Sequence, residues 1–591
     1  MSMSYTMKTN RRNVTLWFLP SMHSLAHGDR EFTGEAHGKL KFRNKYDYEF
    51  VIETERSTIP RNRKPMPTLF ENLVPNIYGE HFYEDRFLSP FHRANRRYYI
   101  YSVIHQSDSM AQVVFRPRID NTQLVDGHAI VNSLTGCIRS VEFKGEFDMI
   151  RFTTTVEMIP DTSYWLPRSS HTQASFKCLY NNVVADFNYV YDTPQVIPDS
   201  IRDVANQPVA EALSDTIPRK RHWYNDIKHF FGDAMDGSTR FSSGKASVRV
   251  SPLFNPLYMS YSKSKGLSYK LSANATYHWN GHHSLSLNPR IGYYTKMNQF
   301  YYTLPLTMTY NPQRNGMVCF VWGNGNRISN AKMKEAFNDR VGHDSISMPE
   351  FRDQYFSLFN NIRAFDWIQF TTGINYHIRK AVGQHQLMEQ AGLQTTYRSF
   401  APYITVHLMP WQERGPVLSS NIERSVRRML GSNLNYSRYE FDAQYKRKMR
   451  GLRQLNLRGG AGFYTLRNTD YFVDYSNFRD NNLPTGWDDD WTGQFQLVDS
   501  RWYNESDYYL RGHISYESPL LCLSWIPFAG RFMESERLYF SALDTEHVHG
   551  YYEVGYGFKC RYFSTAVFAS FLDKDYQSFE CKFTLELFKR W

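Results

Sequence analysis

From Ala246 onward the chain alternates apolar and polar residues with a period of two, and few folds accept that pattern. Tyr269, Leu271, Ala273, Ala275 and Tyr277 oppose Lys270, Ser272, Asn274, Thr276 and His278. Tyr439, Phe441, Ala443 and Tyr445 oppose Arg438, Glu440, Asp442, Gln444 and Lys446, and Leu510, Ile514 and Tyr516 oppose Arg511, His513, Ser515 and Glu517. Successive side chains of an extended strand point to opposite faces, so each segment has one apolar face and one charged or small face. The last segment repeats the pattern: Phe579, Cys581, Phe583, Leu585 and Leu587 against Glu580, Lys582, Thr584 and Glu586, before the chain stops on Phe588-Lys589-Arg590-Trp591. A soluble sandwich turns its apolar face inward. Charges this dense on the other face, over long strands, instead predict a polar lumen and an apolar exterior, with a closing strand at Phe579, Phe583, Leu585, Leu587, Phe588 and Trp591.

Bulk properties agree with a barrel and exclude a helical membrane protein. Mean hydropathy is −0.56, and no run in the sequence approaches the ~20 apolar residues a spanning helix needs. Aromatics make up 16%, with 42 Tyr and 42 Phe, which suits interfacial girdles. The formal charge of +11 is spread among interleaved acids. It points to a basic lumen or basic periplasmic turns, not to a nucleic-acid stripe. The six cysteines (Cys137, Cys178, Cys319, Cys522, Cys560 and Cys581) are scattered without metal-ligand spacing.

At 591 residues two or three domains are expected. Residues 1–30 read as polar and irregular. Val14–Pro20 is too short for the apolar core of an export signal, so for an exported protein either the start lies elsewhere or a portion precedes it. Residues 31–195 read as strand after strand: Arg97–His105, Met110–Arg116, Gln123–Asn132, Cys137–Phe143 and Ile150–Met158, with a helix near Thr68–Leu73 and a tight hairpin at Asn132–Gly136. The alternation here is looser, which predicts a soluble α+β domain. Residues 196–245 form a linker with Pro198 and Pro218 and a short amphipathic helix near Trp223–Phe231. Residues 246–591 form the barrel.

Connection lengths orient it. Numbering strands from Ala246 gives about sixteen. The connections after the fifth, seventh and eleventh are long, and those after the second, sixth and tenth are short. Long extracellular loops and short periplasmic turns produce such an asymmetry, and an even count puts both barrel termini in the periplasm. Pro519–Ser535 breaks the rule, being long and apolar on the short side. It reads as a helix tucked at the rim.

Candidate chemistry is sparse. Asp488, Asp489 and Asp490, between Trp487 and Trp491, lack the spacing of a calcium loop and read as solvated loop acids. Gly323-Asn324-Gly325-Asn326 lacks a strand-to-helix context and reads as a turn. His282, His283, Ser284 and Ser286 show no third group to complete a nucleophile–base set. Arg290, Arg438, Glu440, Asp442, Arg458, Arg511, His513 and Glu517 are expected to line the lumen as a salt-bridge network, with a permeation path as the sharper alternative. No cofactor, metal or catalytic residue is predicted.

Several runs resemble a Bacteroidetes outer-membrane family of unknown function, whose members often carry an N-terminal carboxypeptidase-regulatory-like domain. They include Leu88-Ser89-Pro90-Phe91, Asn121-Thr122-Gln123-Leu124-Val125, Trp322-Gly323-Asn324-Gly325-Asn326, Arg398-Ser399-Phe400-Ala401-Pro402 and Gly555-Tyr556-Gly557-Phe558. The resemblance covers nearly the whole chain. It implies an outer-membrane location and no known activity; the N-terminal domain is expected in the periplasm. Looser likenesses connect Arg97–Met158 to the half-barrel of periplasmic lipoprotein carriers, and Tyr508–Leu520 to the surface-antigen barrels that assemble outer-membrane proteins. Together they imply a barrel assisting outer-membrane protein or lipid assembly or transport. The alternatives are a passive channel and a structural or surface-binding barrel. The partners expected are outer-membrane lipid and other outer-membrane or periplasmic proteins.

Overall fold

The computed structural model describes residues 1–9, 31–44, 47–58, 76–83, 87–107, 109–147, 150–159, 166–178, 181–192, 213–216, 239–243, 245–251, 259–262, 266–279, 283–296, 298–328, 339–340, 350–383, 385–412, 415–468, 475, 491–498, 506–526, 529–560 and 563–585. They are nearly all strand and pair into two large sheets, of eleven and nineteen strand segments, plus a two-stranded hairpin.

The eleven-stranded sheet is built from the N-terminal region. Its strands Tyr99–Gln106, Met110–Pro117, Asp126–Asn132, Ile138–Phe147 and Ile150–Met158 follow the sequence expectation closely, each pairing antiparallel with the next. The Asn132–Gly136 turn closes as expected, with the Gly136 N–H on the Asn132 carbonyl at 2.8 Å and Gly136 at φ +71°. Two expectations fail. The first residues are not irregular: Ser2–Thr9 is an interior strand, paired with Asn181–Val190 on one side and Glu31–Asn44 on the other. Met3, Tyr5 and Met7 are buried from one face. Among the described residues the domain's helical content is the short 3-10 turn Arg93–Tyr98. The helices expected near Thr68–Leu73 and Trp223–Phe231 lie outside those residues. Leu213–Thr216, expected within a linker, adds a parallel strand at the sheet edge beside Asp47–Ser57.

The sheet's apolar face is covered by its own chain. The hairpin His81–Phe82 with Phe87–Leu88 lies in one core with Tyr99, Phe115, Val125, Ala129, Phe143, Phe152 and Val156. Thr154, fully buried on that face, meets the Tyr83 hydroxyl at 2.8 Å and the Thr172 hydroxyl at 3.0 Å. Its polarity is thereby satisfied where it would otherwise be destabilising.

The nineteen-segment sheet runs antiparallel from Thr239–Ser243 to Asp575–Leu585. Ala246–Val250 and Met259–Ser262 both lie along Gly266–His278, and Ser284–Leu287 and Arg290–Tyr294 both lie between that strand and Gln299–Asn311. Counting each broken strand once leaves seventeen. Sixteen of these start from Ala246, as expected, and the five-residue strand Thr239–Ser243 precedes them. It makes the count odd, so strict alternation sets the sheet's first and last residues at opposite ends. Between the two edge strands no pairing occurs among the described residues.

The faces separate cleanly. Leu271, Ile291, Leu306, Phe320, Leu358, Ile374, Ile404, Ile422, Phe441, Phe463, Leu510, Ile514, Phe540, Val554, Val567, Phe579 and Phe583 are all exposed. Antiparallel partners project to the same side, and the register puts all of these on one face. An exposed apolar surface spanning so many strands exceeds what a water-soluble protein tolerates. Glycines on the other face are bedded under rings. A Cβ at Gly323 would overlap the ring of its cross-strand partner Tyr355. The Gly323–Asn326 run is therefore strand, not the turn expected from sequence. It lies inside Gly316–Ile328, with a register shift between Asn324 and Asn326; strand glycines commonly mark such irregularities and close approaches.

Candidate functional site

All eight residues expected to line a lumen fall on the face opposite the apolar one. Arg290 pairs with Thr303, then Gly323, Tyr355 and His377 across successive strands. Arg458, His513, Ser541 and Glu553 form another rung. Six of the eight converge. Arg438 bridges Glu423 at 3.0 Å and Glu440 at 3.2 Å, while Asp442 holds Arg458 at 3.1 Å and also Arg511. His513 meets the Ser541 hydroxyl through Nδ1 at 2.8 Å. Glu517 stands apart in a pair with Arg537 at 3.2 Å. Arg290 is exposed and does not join the cluster.

Sequence reasoning missed several members. Glu423 also accepts from the Tyr436 hydroxyl at 2.7 Å and Asn375 Nδ2 at 3.0 Å. Asp353 meets His377 at 3.1 Å and Arg379 at 3.4 Å. Glu553 was missed as well. Their two-residue parity with neighbouring inward positions was the available signal. Glu423, Glu440 and Asp353 are almost wholly buried. Removing one partner of such a pair leaves an uncompensated charge, at a cost of roughly 3–5 kcal/mol. The network therefore fixes one arrangement of the wall.

The described residues of the connection between Thr465 and Tyr508, the longest between successive strands of the large sheet, include several that pack on the inner wall. Phe495 lies 4.5 Å from the His513 ring and 6.2 Å from Tyr551, and Trp491 lies 6.1 Å from Phe568, centroid to centroid. Glu553 accepts the main-chain N–H of Gln496 and of Leu497, each at 2.8 Å, and the Tyr551 hydroxyl at 2.7 Å. Tyr475 packs between Tyr464 and Tyr509, with centroids 4.6 Å from each. Trp491 and Phe495 are buried. The sequence marked this segment only as a long loop, and Asp488–Asp490 lie outside the described residues.

The opposite end of the sheet carries the N-terminal domain. The turns at Asp366–Trp367 and Arg450–Leu452 are short and share that end, as the connection lengths predicted, and Pro312–Asn315 joins them there; the other short turn expected, around Asn280, lies outside the described residues. The exception, Pro519–Phe532, is not a helix at the rim but two 3-10 turns, Leu523–Trp525 and Gly530–Phe532. The Glu536 carboxylate gathers the N–H groups of Leu521, Cys522, Leu523 and Ser524 at 2.8–3.1 Å. This segment is long because it receives the N-terminal domain. Asn121 Nδ2 reaches the carbonyls of Pro519, Gly530 and Met533 at 3.4–3.5 Å, and Gln123 reaches that of Glu534. Glu80 accepts the Gly451 N–H at 2.8 Å. Leu452 and Leu520 pack against the N-terminal core.

Other candidates resolve simply. Phe579 and Phe583 are exposed on the apolar face. Leu585 ends the last strand, and Leu587, Phe588 and Trp591 lie outside the described residues. Ser286 donates to the Thr307 carbonyl at 3.5 Å, and neither it nor Ser284 bonds a histidine among the described residues. No cluster of His, Cys, Asp and Glu there could hold a metal ion.

Residues 232–402 and 390–558 match the C-terminal domain of a family of unknown function, DUF5686. Residues 19–193 match that family's other model. The chain belongs to the DUF5686 family. The two matches of the C-terminal model fall on strands of the nineteen-segment sheet of this DUF5686 protein, and the match of the other model on strands of the eleven-stranded one. No curated protein matches it. Similar solved structures include BamA from Haemophilus ducreyi lacking POTRA domains 1–3, at 9% identity and a TM-score of 0.38, over 58% of this chain and 71% of that one. The P pilus usher PapC translocation pore matches at 9% identity and 0.21, over 98% of both chains. An E. coli P pilus tip assembly intermediate, PapC-PapD-PapK-PapG, matches at 9% and 0.24, over 99% and 60%. These superpositions are loose, and the fold of the DUF5686 protein rests on its own strand pairing.

Proposed function

We propose that this protein is an outer-membrane β-barrel with a periplasmic N-terminal domain, serving protein or lipid assembly or transport at that membrane and carrying out no catalysis of its own. The apolar outer face carries the membrane part of the reading, because only lipid or a partner can cover it. The role rests on the docked domain. A soluble sheet anchored to the short-turn rim through Asn121, Gln123 and Glu80 is positioned to pass a client to the wall. A passive channel is disfavoured, since Phe495 and Trp491 pack on the inner wall against His513, Tyr551 and Phe568, on the side where a permeation path would run. Depletion in the native host tests the role. Loss of other outer-membrane proteins or lipids from the membrane is expected, and normal levels of both would remove the assembly reading. Planar-bilayer recording addresses the rival, with steady wild-type conductance as the result that favours a channel.

A further inference from the structure

On the outer face, four adjacent strands place Ala443, Gly459, Gly512 and Ala542 in one rung. They floor a groove of about 320 Å³, walled by Tyr445, Leu457, Ile514 and Phe540. The glycines are not there to relieve a clash. A Cβ at Gly512 would meet nothing within 4 Å, and one at Gly459 only the Arg511 carbonyl at 3.9 Å. Glycine inside a strand is destabilising by roughly 0.5–1 kcal/mol relative to alanine, so two in register leave a space that packing does not require.

The same face becomes basic toward the N-terminal domain. Below Tyr445 comes Arg447, then Arg453 opposite Met449, then Arg450 in the turn. Arg447 and Arg450 are exposed. Arg453 Nε donates to the Arg450 carbonyl at 2.7 Å, which shapes the turn. None of the three forms an ion pair among the described residues. Arg97 of the docked domain stands close by, since its guanidinium donates to the Tyr98 hydroxyl, which lies 3.7 Å from the Cβ position of Gly451. The acid facing this turn, Glu80, is engaged by the Gly451 N–H at 2.8 Å, with His81 at 3.8 Å. Four residues separate Ala443 from Arg447, about 13 Å of strand. That is close to half of the ~30 Å hydrocarbon thickness of a bilayer.

We propose that this wall holds one anionic phospholipid of the periplasmic leaflet, with an acyl chain in the groove and the phosphate against Arg447, Arg450 and Arg453. The assignment rests on the membrane reading above. A zwitterionic lipid fills the groove equally well but leaves the three guanidinium groups without a net counter-charge, which sets the selectivity.

Native mass spectrometry on the full chain folded in detergent, titrated with phosphatidylglycerol or phosphatidylcholine, tests it. A single retained phosphatidylglycerol is expected, with phosphatidylcholine held about tenfold more weakly. Arg447→Glu with Arg450→Glu removes that preference. Gly512→Leu, whose side chain enters open space, weakens both lipids. Arg314→Glu, an exposed cation on another turn of the same rim, leaves binding unchanged. Equal retention of the two lipids by the wild type, an unchanged preference for phosphatidylglycerol in the double variant, or full displacement by inorganic phosphate overturns the proposal. Heat-modifiable migration and vesicle insertion are read on the same samples. A chain that inserts but shows no lipid preference sinks only this inference, whereas one that stays monomeric in water without detergent sinks the membrane reading.

Discussion

The Glu553 carboxylate on the inner wall accepts the main-chain N–H of Gln496 at 2.8 Å. A wall residue thus holds the longest connection by its backbone, whatever side chains that connection carries. The neighbouring Leu497 N–H and the Tyr551 hydroxyl share the same carboxylate. Hydrogen bonds to a charged group contribute roughly 1.5–3 kcal/mol each, so this one carboxylate accounts for much of the hold. Glu553→Ala combined with Phe495→Ala is expected to free the segment. Planar-bilayer recordings should show a silent wild type and conducting double variant; matching traces would mean that the segment does not block the wall.

The rim contact makes a second case. Asn121 donates toward three carbonyls of the Pro519–Met533 segment. Asn121→Leu leaves those buried acceptors unmet, at a cost of about 1–3 kcal/mol. Limited proteolysis should then cut between the two sheets faster, while the wall strands stay protected. An unchanged cleavage rate would show that Leu452 and Leu520 hold the domain without Asn121.

Much of the wall was legible because its information is local. Two-residue parity placed Arg290, Arg438 and Arg511 on one face without knowledge of any partner strand. Connection lengths sorted the ends and singled out Pro519–Ser535 as anomalous. What parity does not report is which side chains meet. It identified Arg438 but not Glu423, two strand ends away in sequence and 3.0 Å away in space. It left Trp491 and Phe495 as loop residues, since an aromatic in a loop looks the same whether it is solvated or folded back onto a wall. Ser2–Thr9 was missed for a different reason. Its neighbours in the sheet, Glu31–Asn44 and Asn181–Val190, are remote in sequence, so no hairpin signal marked it.

Glycine under a ring predicts a packing phenotype. The space that a Cβ needs at Gly323 is filled by Tyr355. Gly323→Val forces the ring off its bed, and overpacking of this kind is destabilising by about 1–3 kcal/mol. Urea unfolding from detergent should show a lower midpoint, restored in part by adding Tyr355→Ala. A midpoint equal to wild type in Gly323→Val alone would show that the ring moves freely.

Alkaline pH bears on the N-terminal domain. Burial pushes the Tyr78 hydroxyl up to about 12, and burial also raises Tyr83 and Tyr99. The unfolded chain ionises these groups near pH 10, so their contribution is intact below that pH and declines as pH rises toward the folded values. Amide exchange in Tyr99–Gln106 should accelerate above pH 10 beyond its intrinsic base dependence. Tyr83→Phe with Tyr99→Phe should flatten that excess, and an identical profile in the variant would assign the loss elsewhere.

The central claim is that one face of the large sheet meets lipid and the other does not. Phe579 and Glu580 are adjacent, both exposed, and on opposite faces. Lysine on the lipid face of a barrel costs roughly 2–4 kcal/mol near the midplane, while the inner face already carries Glu580 beside Lys582 at 2.8 Å. The decisive measurement is folding into phospholipid vesicles, read by heat-modifiable migration, for Phe579→Lys and Glu580→Lys side by side. The account predicts loss of the folded band for Phe579→Lys and near-normal folding for Glu580→Lys, although the second variant changes the charge more. Equal folding of the two, or loss confined to Glu580→Lys, would contradict it.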